Sequence, residues 1–246
     1  MPLGYPISWF KPAATDPCFC VSGLTFGECC GTRSEPRKPP VGTQLYSGFL
    51  DPATCRKWVT RLEQQPRLRA KIMDFNRSTA GSVVHVEDPR RVCHDVTPGV
   101  LRKQINERIT EGFRLAAAKA GRSLAWFETP RILRYQPGGF YLRHADNCLV
   151  DPPSNTWYRV RDRDLSLLIY LNEDFTGGGL SFINFNFHFR PHAGDLLVFP
   201  SDNRYEHQAE VVQSGVRYCI ASWAAFSDSR RVNTGPPEGA IYFTGS

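Results

Sequence analysis

From Arg131 to Phe226 the chain reads as one short strand after another, and this run limits the fold more than anything else in it. Extended, apolar-rich segments are expected at 131–136, 140–144, 165–172, 180–190, 195–200, 208–212 and 216–224, with Gly-rich turns between several of them. Phe185, Phe187 and Phe189 alternate with Asn184, Asn186 and His188, the period-two signature of a half-buried strand. Many short strands joined by Gly-rich turns predict a sandwich or barrel. Two helices precede the run. Asp51-Pro52 is an N-cap followed by proline at N1, and the helix behind it carries Trp58, Val59 and Leu62 on one face. A second helix is expected from the cap Thr97-Pro98 to Gly121, with Leu101, Ile105, Ile109, Phe113, Ala116 and Ala120 near helical period. With 41% apolar residues the chain has enough to bury a core.

Within the strand run three residues stand out. His144-Ala-Asp146 ends an extended segment, and side chains two apart on a strand share a face. His207 follows far along the chain, and Arg217 opens the apolar run up to Trp223. Two imidazoles and one carboxylate form the facial triad of non-haem Fe(II) oxygenases, with coordination positions left open for cosubstrate and O2. An arginine fork suits a carboxylate in bidentate fashion. A rival pair, His85-Val-Glu87, lacks a downstream His followed by Arg and reads as a strand end. His188 reads as a surface residue, His192 as part of a turn, and His94, after Cys93, as a loop feature.

These pieces fall in the order found in a known family. The runs Tyr135-x-x-Gly, Tyr141-Leu-Arg-His144-x-Asp146-Asn147, Ile169-Tyr170-Leu-Asn-Glu-Asp-Phe, Gly177-Gly-Gly-Leu-Ser-Phe182, Leu197-Val-Phe-Pro-Ser-Asp202, His207 and Arg217-Tyr-x-Ile-x-x-Trp223 resemble the 2-oxoglutarate/Fe(II) dioxygenases of the prolyl 4-hydroxylase type. The likeness is greatest to the hypoxia-inducible-factor prolyl hydroxylases and their bacterial relatives, and it covers roughly residues 43–226. It implies a mainly β fold with supporting helices, a double-stranded β-helix of the jelly-roll or cupin-like kind. It also implies Fe(II) on His144, Asp146 and His207, with 2-oxoglutarate gripped by Arg217 and ascorbate as an optional reductant. Tyr170 would donate to the distal carboxylate of 2-oxoglutarate, and Tyr135 would line its pocket. In these hydroxylases a loop at the position of 147–164 folds over a bound peptide, which makes Trp157, Tyr158 and Arg159 candidate substrate contacts.

At the N-terminus, Cys18, Cys20, Cys29 and Cys30 are spaced C-x-C-x8-C-C. Four thiolates so close together can enclose a tetrahedral Zn2+. The alternatives are unligated thiols or a redox cluster. The segment resembles the zinc motif at the C-terminus of the SecA translocation ATPase, the SEC-C motif: Ser22-Gly23, Phe26 and Gly31 match, while Val21 replaces the usual Gly and the usual lysines are missing from 24–28. The expected organisation is a zinc module at 1–33, a Pro-rich linker at 34–42, the dioxygenase domain at 43–228 and a tail at 229–246 whose Ala240-Ile-Tyr-Phe packs back.

No secretory signal or membrane span is legible, and eight cysteines in such a chain read as thiols or metal ligands, so a cytoplasmic location is expected. The net charge of +6 suits an acidic protein partner or nucleic acid. The leading expectation is a hydroxylase of a prolyl residue in a protein, releasing succinate and CO2. Two others compete: an oxygenase of a free amino acid, small metabolite or nucleic acid, and a zinc-module interaction protein. A fused zinc module points to docking on a macromolecule, with translation-related partners among the candidates.

Overall fold

A computed structural model describes residues 5–7, 13–18, 23–29, 31, 39–74, 77–78, 84–151 and 153–243. The chain begins with β1 (Tyr5–Ile7) and enters the main body through β2 (Gln44–Tyr46). Asp51 then caps α1 (Pro52–Leu62): its carboxylate accepts from the Thr54 N–H at 2.9 Å, with proline in the first turn. Trp58 and Leu62 are buried along with Cys55.

Five short strands follow: β3 (Arg67–Arg69), β4 (Ile72–Met73), β5 (His85–Val86), β6 (Arg91–Val92) and β7 (His94–Val96). His94 is therefore not a loop residue, because β7 is hydrogen-bonded on both sides. Tertiary pairing makes a strand there that local propensity does not announce. A 3₁₀ turn at Gly99–Leu101 leads into α2 (Arg102–Ala120). Pro98 stands at the start of that turn with no side-chain cap, so the expected Thr97 cap is absent. At the other end Gly121 takes the left-handed conformation, φ 62°, and closes the helix.

The strand run then unfolds as β8 (Leu124–Phe127), β9 (Arg131–Tyr135), β10 (Phe140–His144), β11 (Cys148–Asp151), β12 (Thr156–Arg159), β13 (Leu165–Tyr170), β14 (Thr176–Gly177), β15 (Leu180–Phe182), β16 (Phe187–Phe189), β17 (Leu196–Pro200), β18 (His207–Ala209), β19 (Val212–Ser214), β20 (Arg217–Phe226) and β21 (Ile241–Tyr242). The stretch 180–190 is two strands and not one. A 3₁₀ turn at Ile183–Phe185 separates them, and Asn186 sits at φ 48°, one of the few residue types that tolerates αL. Buried Asn184 holds the corner by donating to the carbonyls of Asn203 (3.1 Å) and Arg204 (3.0 Å).

Two antiparallel sheets dominate. The larger runs β2-β17-β13-β20-β9-β7-β3, with β8 also on β20 and β21 on β8; the smaller runs β16-β15-β18-β10-β6. Their arrangement is the expected double-stranded β-helix. Alternation decides which core each side chain enters. Leu165, Leu167 and Ile169 of β13, Leu196 and Val198 of β17, and Tyr218, Ile220 and Ala224 of β20 join the core under α1 and α2. Their neighbours Tyr170, Leu197, Phe199, Cys219, Ala221 and Trp223 join the core between the sheets, with Leu180, Phe182, Phe189 and Ala209 from the smaller sheet. Covered on both faces, β20 is buried along all of its length. The C-terminal run does pack back: β21 pairs β8, and the Phe243 ring lies 5.5 Å from that of Phe127.

Where the family resemblance implies a loop at 147–164, the structure has strands. Residues 148–159 form a hairpin of β11 and β12, turned at Asn155 (φ 50°), and β1 adds a third strand to β12. Ile7 packs with Ala145, Cys148 and Trp157.

Helix α2 approaches the larger sheet most closely at Gly112, where an added Cβ would lie 3.0 Å from Leu167 Cδ1 and 3.1 Å from Leu196 Cδ2. Gly112→Val should therefore overpack this contact and lower stability by about 1–3 kcal/mol. Urea unfolding of the variant with unchanged stability would refute this account of the helix–sheet seam.

Candidate active site

The candidate ligands meet because of strand register. His144, the last residue of β10, pairs with His207, the first of β18, across an irregularity in the ladder, and His207 also faces Phe182 of β15. Asp146 does not belong to the strand. It lies in the bend just beyond β10 and reaches the histidines through that bend, not through strand alternation. The bend is held by Asn147, whose N–H donates to Ser201 O at 3.1 Å, and by Arg163, whose Nη1 donates to the Asp146 carbonyl at 3.1 Å.

Ligand atoms of His144, Asp146 and His207 lie within 4.8 Å of one another, the one such cluster among the described residues. His144 Nε2 is 3.8 Å from Asp146 Oδ1 and His207 Nε2 is 3.7 Å from Asp146 Oδ2. Each ring presents Nε2 inward for the same reason. Nδ1 of His144 is bonded to Leu142 O at 2.8 Å, and Nδ1 of His207 to Tyr205 O at 2.9 Å. These bonds place the proton on Nδ1 and leave the Nε2 lone pair free for a metal. Asp146 Oδ2 accepts from Ser166 Oγ at 2.6 Å, and Ser201 Oγ lies 2.7 Å from Ser166 Oγ. The Tyr141 ring stacks on His144 with centroids 3.6 Å apart, and the guanidinium of buried Arg91 lies 4.7 Å from the Tyr141 centroid. Burial, and then the neighbouring charge of His207, lower the His144 pKa to about 3. For Asp146, burial acts to raise the pKa, but the charges of His207, His144 and Arg163 and the bond from Ser166 outweigh it and hold the carboxyl down at about 2. At neutral pH His144 is a neutral imidazole and Asp146 a carboxylate, the protonation states that a divalent ion needs of them.

The same cavity, about 170 Å³ in volume, extends to Arg217 at the start of β20. Alternation along β20 turns Arg217, Cys219, Ala221 and Trp223 toward it. Arg217 is 2% exposed, and no carboxylate pairs with it among the described residues. Its Nη1 donates to Gly178 O at 2.6 Å, its plane lies 4.1 Å over the Tyr135 ring, and its Nε has no partner. Gly178 sits at φ 62°, and a Cβ there would meet Val212 Cγ2 at 2.9 Å, so the Gly-rich turn allows this close approach. Tyr170 is wholly buried, and its hydroxyl has no partner either. A buried cation with no carboxylate and an unpaired Nε, and a buried hydroxyl with no partner among the described residues, are costly. Together they fit a small carboxylate, which would satisfy both.

Sequence reasoning missed Ser166, Ser201 and Arg91; Arg163, which reads in the sequence as one of three arginines flanking the substrate loop, instead braces Asp146 and pairs with Glu128. Ser166 was the findable one, because it has the strand parity of Tyr170 on β13 and so points the same way. Of the expected substrate-loop residues, Trp157 is buried against Ala145 and Cys148, and Arg159 Nη2 bonds Asp164 Oδ1 at 2.9 Å. The cavity wall from this hairpin region is instead Cys148, Leu149, Val160, Arg161 and Arg163.

Residues 130–225 match the 2OG-Fe(II) oxygenase superfamily, and they hold the triad, Arg217 and both tyrosines. The chain carries a 2OG-Fe(II) oxygenase domain. Fe(II) and 2-oxoglutarate are the cofactors of such domains, and the donor set fits the first while Arg217, which has no carboxylate among the described residues, and the unpaired Tyr170 hydroxyl fit the second. The domain is similar to prolyl 3-hydroxylase 2 of Homo sapiens, 34% identical over 89 residues that make up 32% of this chain and 13% of that protein. The chain thus spans only a small part of that relative. It is also similar to the PKHD-type hydroxylase YbiX of Shigella sonnei (strain Ss046), 27% identical over 182 residues, 72% of this chain and 75% of that one. The fold is shared with a prolyl hydroxylase from Trichoplax adhaerens in complex with a hypoxia-inducible-factor oxygen degradation domain peptide fragment. That match has a TM-score of 0.56 and 18% identity, and it covers 75% of this chain and 83% of that one.

Outside the oxygenase domain, residues 15–32 match the SEC-C motif. Cys18 and Cys29 are buried around Phe26, and the Cys18 N–H donates to Leu24 O at 2.9 Å. Cys20 and Cys30 lie outside the described residues, as does 34–38 of the expected linker. Among the described residues no helix is long and apolar enough to cross a membrane.

The low His144 pKa gives a signed pH dependence. Between pH 6.5 and about 3 the unfolded chain binds a proton at His144 that the metal-free fold does not, so stability falls as pH falls. Asp146 adds to the loss between 3.8 and about 2. Thermal unfolding of metal-free protein should show a falling Tm below pH 6.5, with His144 contributing at most about 1.4 kcal/mol per pH unit. His144→Asn should flatten the slope between pH 6.5 and 4.5.

Proposed function

We propose that the chain is an Fe(II)- and 2-oxoglutarate-dependent hydroxylase of a prolyl residue in a protein. The observation that carries this reading is the His144–Asp146–His207 cluster opening onto the same cavity as a buried arginine with no carboxylate of its own. His144 Nε2, His207 Nε2 and Asp146 would hold the iron. When bound, iron with O2 and 2-oxoglutarate supplies the oxidising chemistry, and succinate and CO2 leave with the hydroxylated product. Arg217 holds the distal carboxylate of 2-oxoglutarate, Tyr170 donates to it, and Tyr135 packs under the guanidinium. Ser166 and Ser201 orient Asp146, and the surrounding apolar side chains keep water from the reacting groups.

Prolyl protein substrates are supported by the names of the relatives above. The hairpin carrying Trp157, Tyr158 and Arg159 belongs to the substrate approach in this reading, with Trp157 and Arg159 bracing it. Zinc is assigned to Cys18, Cys20, Cys29 and Cys30, in a module that docks the enzyme on a macromolecule. A cytoplasmic location and translation-related partners go with that assignment.

Asp146→Ala and His207→Ala should abolish succinate formation from 2-oxoglutarate. Arg217→Ala should raise the KM for 2-oxoglutarate by roughly thirtyfold or more, since removing one partner of a buried charge pair costs about 2–5 kcal/mol. Normal turnover by Asp146→Ala would refute the site. Mass spectrometry of proteome fractions from cells with and without the active chain should find a one-oxygen mass gain on proline.

Elemental analysis should find one zinc that survives mild chelation. Cys29→Ser should lose it while the oxygenase domain keeps its Tm. A wild-type protein free of zinc would refute the module assignment.

A further inference from the structure

Among the described residues the cavity that holds the triad is lined by eight Lys and Arg side chains, and Asp146 is its single acidic one. Most of that charge is already balanced outside the cavity. Arg90 pairs with Asp88 at 2.9 Å, Arg163 with Glu128 at 2.7 Å, Arg131 with Asp95 and Arg143 with Glu206. Arg217 has the cosubstrate role above, Arg91 is spread over the Tyr141 ring, and Lys71 is exposed to water.

Arg161 is different. It follows the hairpin directly and is half-buried on the cavity wall, with no carboxylate within ion-pair distance among the described residues. Its flanking arginines are both spoken for, Arg159 by Asp164 and Arg163 by Glu128. Among the described residues the side-chain hydrogen bond of Arg161 is to His85 of β5, whose Nε2 is 3.3 Å from Nη2. Burial, and next the charge of Arg161, lower the His85 pKa, so the imidazole is neutral and can accept. Burial and the charge of Arg163 lower the Arg161 pKa to about 10, as expected of a cation in need of an anion. The sequence 75–83, most of which lies outside the described residues, has no acidic residue to provide one.

We propose that Arg161, positioned by His85, holds a carboxylate of the substrate, so that the residue to be hydroxylated is presented beside an aspartate or glutamate of the same peptide. This rests on the hydroxylase reading for the nature of the reaction and on the cavity wall for the charge. A guanidinium with one donor on His85 keeps a fork for a carboxylate. One free cation suits a single carboxylate. A nucleic acid would need a row of them, and the neighbouring arginines of the wall are already paired.

The test uses the whole chain with Mn2+ in place of iron and with 2-oxoglutarate. Calorimetry measures binding of capped heptapeptides that have a central proline and one Asp, or one Asn, at each other position in turn. At least one Asp peptide should bind about tenfold more tightly than its Asn counterpart, the usual size of a charge-assisted bond. Arg161→Gln should erase that difference, and Arg161→Glu should move the preference to a Lys peptide. Free glutamate bound as tightly as the best peptide, and lost in Arg161→Gln, would support the carboxylate site and place its source in a small molecule. The same peptides are then incubated with Fe(II), 2-oxoglutarate and O2. A charge preference without oxygen gain supports the Arg161 site and refutes prolyl hydroxylation. Oxygen gain with equal use of Asp and Asn peptides refutes the Arg161 site alone. Equal binding of all peptides, or tighter binding of a single-stranded oligonucleotide than of any peptide, overturns the proposal.

Discussion

Strand β20 has to serve two cores at once, and the rest of the molecule is arranged around that demand. It is hydrogen-bonded to β13 on one side and to β9 on the other, with β8 beyond β9's reach at its far end. Helices cover one face and the smaller sheet covers the other. Every side chain of the strand is therefore excluded from water, and strict alternation sends Tyr218, Ile220 and Ala224 to the helices and Arg217, Cys219, Ala221 and Trp223 to the cavity. A buried guanidinium in such a strand is tolerable only because backbone carbonyls of the Gly-rich turn take part of its hydrogen bonding. What they leave unsatisfied is directed at the cavity, which is how a packing constraint becomes a binding site.

The candidate metal site depends on the smaller sheet in a similar way. Pairing of β10 with β18 brings two histidines from distant parts of the sequence to one point. Backbone carbonyls two residues before each of them then set the ring orientation. The carboxylate arrives by a bend whose geometry is held by Arg163 and Asn147, and Arg163 is itself held by Glu128 and lies 3.8 Å over the Trp223 ring. Glu128 follows β8, next to β20. The two sheets are thus coupled at the site through one arginine.

Electrostatics gives the cavity its direction. Much of the positive charge on its wall is paired with carboxylates outside it; among the described residues Arg91, Arg161 and Arg217 have no carboxylate partner, and Arg91 is taken up by the Tyr141 ring. In the proposed reading Arg217 would serve a carboxylate of the cosubstrate and Arg161 one of the substrate. The hairpin that leads to Arg161 is itself stiffened by β1, so the N-terminal segment takes part in the site's surroundings even though the SEC-C motif lies between β1 and the oxygenase domain.

The sequence alone determined the class of fold and both main helices, because these are written in local signals; it offered His144, Asp146, His207 and Arg217 as candidate site residues through their side-chain chemistry, and Tyr135 and Tyr170 through the family resemblance. Period-two burial, a capped first turn and fixed side-chain chemistry survive without knowledge of distant contacts. It did not determine the strands at 67–69, 91–92 and 94–96, which are two or three residues long and exist only through their partners. Nor did it foresee the break in 180–190, where buried Asn184 is satisfied by carbonyls that arrive from residues 203 and 204. Three arginines at 159, 161 and 163 are equivalent in the sequence. Only the tertiary structure set Asp164 beside the first and Glu128 beside the third and left the second on the cavity wall, because charge compensation depends on distance through space and not on position along the chain.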